Sequence, residues 1–108
     1  MKILVTGGTG FIGSRLVQAL VAAGHGVAYV ARTPPPSQVA VPTAGYIAGD
    51  YAHGLAESDW TARLGGIDTV INAVGILRET EHQTFEKVHV RAPTALFRAC
   101  ASARVRVI

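Results

Sequence analysis

The run Thr6-Gly7-Gly8-Thr9-Gly10-Phe11-Ile12-Gly13 constrains this chain more than any other stretch. Two glycine registers overlap in it, Gly8-x-Gly10-x-x-Gly13 and Gly7-x-x-Gly10-x-x-Gly13. Ahead of it, Lys2 to Thr6 is an apolar run of the kind buried on both faces of a parallel sheet. Behind it, Phe11 to Ala23 places Ile12, Leu16, Ala19, Leu20 and Ala23 at helical spacing. Strand, glycine turn and helix, in that order, form the context in which glycines seat a pyrophosphate. They permit positive φ, let the backbone approach the anion and bring the helix close to the strand. The helix would aim its unsatisfied N–H groups and its positive dipole end at the phosphates. An ordinary glycine-rich turn is the competing reading. A P-loop is excluded, because Ser14 rather than lysine follows Gly13.

The remainder alternates short apolar runs with amphipathic stretches. Gly24 ends the first helix, and Gly26 turns into a second strand over Val27 to Ala31. Thr33-Pro34-Pro35-Pro36-Ser37 is a forced loop, since successive prolines neither donate to a ladder nor continue a helix. A third strand is expected over Gly45 to Ala48, a helix over Ser58 to Leu64 with Ser58 as its cap, and a fourth strand over Thr69 to Val74. Helical spacing recurs from Thr84 to Ala103, where Pro93 predicts a kink or two abutting helices. Val105 to Ile108 begins a fifth strand. The expected fold class is α/β: a Rossmann-type doubly wound parallel sheet of about five strands, residues 1–108 forming the N-terminal part of one NAD(P)-binding domain. An apolar strand ending the sequence would be an uncovered edge. The expectation is therefore a piece of a longer protein, or self-association with another copy through that edge.

Composition narrows the partners. At 108 residues, 49% hydrophobic and 16% charged, the chain can bury a core, and disorder is excluded. No stretch nears the roughly 18 apolar residues of a membrane span, and Ile3-Leu4-Val5 is too short for a signal core. Cys100 is the single cysteine, which rules out an internal disulfide and a cysteine metal cluster. A soluble, cytoplasmic chain without a metal site is expected. The net charge of +3 comes from scattered residues, eight of them arginine, with no basic block and no interleaved aromatics. Nucleic acid is not expected as a partner.

Further candidate residues follow the later strands. Arg32 closes the second, twenty-two residues after Gly10, and no Asp or Glu lies between Gly10 and Asp50. A carboxylate there would bind the ribose hydroxyls of NAD; an arginine can neutralise the 2′-phosphate of NADP and stack on adenine. A solvated arginine entering a loop is the bland alternative. Asp50-Tyr51 follows the third strand, where an acid can accept from the adenine amino group or merely close a turn. Asn72-Ala73-Val74-Gly75 ends the fourth. Its small residues admit the ribose and diphosphate, and Asn72 can tie neighbouring strands together. His25, His53 and His82 read as loop or surface histidines, His89 as a cleft wall or an ordinary packed or solvated residue, Cys100 and Trp60 as core.

In this order, Thr6-Gly7-x-x-Gly10-x-x-Gly13, Arg32, Asp50 and Asn72-Ala73-Val74-Gly75 resemble the NAD(P)-dependent epimerase/dehydratase family, the extended short-chain dehydrogenases and their atypical relatives. The string Ile71 to Glu79, with Phe85 to Val90 and Ala92-Pro93, resembles the atypical branch that includes the nucleotide-binding accessory subunit of respiratory NADH:quinone oxidoreductase. The resemblance covers essentially all 108 residues. It implies a bound dinucleotide, NADP(H) with NAD also admitted, contacted by Gly7, Thr9, Gly10, Phe11, Ile12, Gly13, Arg32, Asp50, Tyr51, Ala73, Val74 and Gly75. It further implies an oxidoreductase, epimerase or dehydratase acting on a small molecule, with a tyrosine and lysine four residues apart in active members. Tyr29, Tyr46 and Tyr51 are followed at that distance by Thr33, Asp50 and Leu55. No catalytic residue is therefore assigned, and the alternative of a noncatalytic NADP(H)-binding module stands beside the enzyme.

Overall fold

The protein is described by a computed structural model covering residues 1–32, 44–49, 56–74 and 92–108. Its centre is β1 (Lys2–Thr6), flanked by β2 (Gly26–Ala31) and β4 (Thr69–Asn72). β3 (Gly45–Ala48) pairs beyond β2 and β5 (Arg106–Val107) beyond β4, giving the order β3-β2-β1-β4-β5. All four pairings are parallel. Parallel neighbours need crossovers, and α1 (Phe11–Ala22), α2 (Glu57–Arg63) and α3 (Ala92–Ala103) lie between consecutive strands. The order is that of the doubly wound fold read from the sequence.

Alternate residues of β1 feed opposite cores. Ile3 and Val5 join Val17 of α1 with Val27, Tyr29 and Ala31 of β2. Leu4 joins Val30, Val70, Trp60, Leu64, Leu96, Ala99 and Cys100 on the face of α2 and α3. Both sides of the central strand are therefore dry, which is why its sequence is uninterrupted by polar residues. Trp60 and Cys100 are core residues, as expected. No helix among the described residues is long and apolar enough to cross a membrane.

Two helices end in the same way. After α1, the N–H of Gly24 reaches the Val21 carbonyl and that of His25 the Leu20 carbonyl, with Gly24 at φ +89°. After α3, Arg104 and Val105 make the equivalent bonds to Ala101 and Cys100, and Arg104 takes φ +58°. A glycine serves the first turn and an arginine the second. Arg104→Gly is expected to stabilise the protein by about 0.5–1 kcal/mol, because relief of the left-handed strain exceeds the added freedom of the unfolded chain. A urea midpoint measures this, and a lowered midpoint would contradict it.

Several boundaries differ from expectation. Ser58 does not cap α2: the helix is capped at Ala56, whose N–H is accepted by Asp59 Oδ2 at 2.8 Å, and Ser58 lies inside the first turn. Starting there puts Glu57 and Asp59 at the positive end of the helix and Arg63 at the other. β4 stops at Asn72 rather than Val74. β5 covers Arg106–Val107, and its ladder bonds reach Ile108, which donates to Val70 and accepts from Asn72. Pro93 lies in the first turn of α3, where a missing N–H is tolerated; the stretch 84–91 is outside the described residues.

Candidate functional site

The strand order reverses between β1 and β4, and the carboxyl ends of those two strands form the rim of a crevice. Gly7 leaves β1 at φ +70°, its N–H donating to the Val30 carbonyl of β2 at 3.0 Å. A Cβ on Gly7 would lie 2.9 Å from the Ala73 carbonyl oxygen and 3.0 Å from Val74 Cγ2. The glycine turn and the segment after β4, separate in sequence, thus meet. A Cβ on Gly8 would overlap Tyr29, and one on Gly13 would overlap the Gly7 carbonyl oxygen. Gly10 is different. Its backbone is extended (φ −73°, ψ 174°), and among the described residues an added Cβ would meet only the Gly7 oxygen, at 3.3 Å. Three glycines are explained by the chain's own packing, whereas Gly10 keeps space clear toward the crevice.

That space adjoins the start of α1. Ser14 makes the first intrahelical bond, to Gly10, at 2.9 Å. The N–H groups of Phe11, Ile12 and Gly13 therefore have no acceptor within the helix. Gly10 offers no side-chain cap, and the first turn contains no acid. Neither the cap position nor the first turn compensates the positive end, and Thr9 and Gly10 are exposed before it. Phe11 and Ile12 are 77% and 65% exposed. Arg15 lies over the Phe11 ring at 3.9 Å and donates through Nη1 to the Phe11 carbonyl at 3.2 Å, adding a cation to the same helix end. Chemically, the arrangement suits an anion.

The crevice floor is held by Thr6, fully buried at the end of β1. Its hydroxyl donates to Asn72 Oδ1 at 2.6 Å and accepts from the Ala73 N–H at 3.2 Å. Asn72 ties the strands together as expected. Thr6 heads the glycine motif in the sequence but carries no assigned role there, although a hydroxyl closing an apolar strand must find a partner when buried. Arg32 is exposed just beyond β2 and has no hydrogen-bonding or ionic partner among the described residues. Tyr29, beneath Gly8, is paired with Tyr46 across β2 and β3, ring centroids 5.8 Å apart. Burial, and secondarily the neighbouring Tyr46, push the Tyr29 phenol above its ordinary range, so it is neutral at physiological pH. Gly7 to Gly13, Ala73 and Val74 are brought together, with Arg32 just past the end of the adjoining strand β2. Asp50, Tyr51, Gly75, His53, His82 and His89 lie outside the described residues.

Residues 3–108 match the model of the NAD dependent epimerase/dehydratase family. The chain is 37% identical over 76 residues to a 3-beta-hydroxysteroid dehydrogenase of Mycolicibacterium neoaurum, a match covering 70% of this chain and 20% of that protein. It is 40% identical over 80 residues to the epimerase family protein SDR39U1 of Homo sapiens, covering 74% and 25%. Its structure is similar to that of MoeE5 in complex with UDP-glucuronic acid and NAD, with TM-score 0.81, 31% identity, and coverage of 99% of this chain and 35% of that one. The matched segments thus span a fifth to a quarter of these two curated relatives.

Proposed function

Because the chain belongs to the NAD dependent epimerase/dehydratase family, we propose that residues 1–108 form the NADP(H)-binding part of an oxidoreductase, epimerase or dehydratase. The observation that carries this reading is the start of α1, with no side-chain cap, no acid in its first turn, three N–H groups lacking a helical acceptor, and, among the described residues, only the Gly7 oxygen near the Cβ position of Gly10. A pyrophosphate there would accept from Phe11, Ile12 and Gly13, with Thr9 beside it and Ala73 and Val74 forming the opposite wall. The NAD in the MoeE5 structure supports a dinucleotide as the ligand class. When bound, the nicotinamide supplies hydride exchange; the residues of this chain bind and orient. Catalytic groups would come from other parts of the protein, and the substrate is a small molecule whose class these residues do not select. Asp50, Tyr51 and Gly75 complete the proposed contacts. A cytoplasmic location belongs to the same reading.

The preference for NADP over NAD rests on Arg32, an exposed guanidinium where NAD readers carry an acid. Arg32→Ala should weaken NADPH by about 30-fold and leave NADH within about twofold, since a charge-assisted contact to the 2′-phosphate is lost for one nucleotide only. Calorimetric titration of the full chain measures both. Equal losses would refute the 2′-phosphate role and leave NAD as the cofactor. Tight retention of NADPH with no turnover of carbonyl or sugar substrates would instead favour a noncatalytic module, as in the respiratory accessory subunit.

A further inference from the structure

Two peptide groups at the exits of β2 and β3 are locked together. The Ala31 carbonyl, which shares its peptide plane with the nitrogen of Arg32, accepts from the Gly49 N–H at 3.1 Å and from the Tyr46 hydroxyl at 3.3 Å. The Gly49 N–H belongs in turn to the peptide whose other end, the Ala48 carbonyl, accepts from Arg63 Nη2 at 3.0 Å. Arg63 is fixed on α2 by a second bond, Nη1 to the Asp59 carbonyl at 2.8 Å. Tyr46 is itself held by its ring contact with Tyr29, the residue on which Gly8 of the turn rests. A tyrosine hydroxyl thus reaches from β3 to the peptide that launches Arg32, and its ring leans on the support of the glycine turn.

We infer that Tyr46 is a positioning residue for discrimination at the 2′ position of the nucleotide, acting through the Ala31–Arg32 peptide. The inference rests on the reading of Arg32 given above. Two donors on one carbonyl fix the plane of that peptide and hence the direction in which the Arg32 side chain leaves the sheet. With the hydroxyl removed, Gly49 alone holds the plane, and the guanidinium spends less time where a 2′-phosphate would lie. A ligand without that phosphate is indifferent to the change.

The test is a double-mutant cycle in the full chain, with NADPH and NADH affinities measured calorimetrically for the parent, Tyr46→Phe, Arg32→Ala and the double variant. Phenylalanine keeps the ring that packs on Tyr29 and removes only the oxygen. Tyr46→Phe is expected to lower the NADPH-over-NADH preference about fivefold, the weight of one neutral hydrogen bond, with NADH affinity within about twofold of the parent. In the Arg32→Ala background the same substitution should leave the preference unchanged. If Arg32→Ala lowers the preference but Tyr46→Phe does not, the inference is overturned and the Arg32 reading stands. Equal losses for both nucleotides in Tyr46→Phe would also overturn it, reducing Tyr46 to a structural residue. If Arg32→Ala leaves the preference intact, the Arg32 reading falls and takes the inference with it.

Discussion

Gly13→Ala is expected to destabilise the protein by about 3 kcal/mol, a large effect for one methyl group. The new Cβ would overlap the carbonyl oxygen of Gly7, which is backbone and has no rotamer through which to retreat. That carbonyl also accepts the Gly10 N–H at 3.0 Å, so moving it unpicks the turn. The alternative, lifting α1 from the sheet, would expose Val17 and the cluster it shares with Ile3, Val5 and Val27. Neither route is cheap. Urea unfolding of the parent and variant measures the difference, and a change below about 0.5 kcal/mol would show that α1 is not seated on the turn as described.

Gly10→Val is expected to give the opposite pattern. Its backbone is already extended, and its Cβ need displace the Gly7 oxygen by only a few tenths of an ångström, so stability should change by about 1 kcal/mol at most. Affinity for both NADPH and NADH should fall on the order of 100-fold, because a branched side chain would occupy the space before three N–H groups whose bonds to a charged phosphate are each worth about 1.5–3 kcal/mol. The pair of variants separates fold from ligand at positions three residues apart. Unchanged affinity in Gly10→Val would sink the phosphate assignment, whatever Gly13→Ala does.

The central unit was legible because two periodicities meet at the glycines: an unbroken apolar run before them and helical spacing after them. The strand order was less so, since nothing in Lys2 to Thr6 says that β2 and β4 lie on either side; it followed from the chain order of the elements and the fold they imply. Ser58 shows where local chemistry misleads. Ser58 and Asp59 are both capping residues, and the choice fell to Asp59, reaching back to Ala56, in a helix that buries Trp60 and Leu64 together against the sheet. Among the candidate site residues, the turn and Ala73-Val74 could be picked out singly but not seen to touch. Thr6 and Tyr46 were invisible as site residues because their roles lie in hydroxyl contacts across strands, which sequence spacing does not encode.

The absence of a capping side chain at Gly10 has a thermodynamic consequence. The far end of α1 is closed by two hydrogen bonds at Gly24 and His25, whereas its first turn has neither a side-chain cap at Gly10 nor an acid of its own. A pyrophosphate bound there would act as the N-cap that the sequence omits. Winding of the first turn and occupancy by ligand then become linked equilibria, and the folded state deepens with the logarithm of free nucleotide concentration. Fraying of Phe11 and Ile12 in the empty protein and release of nucleotide would be two views of one local transition.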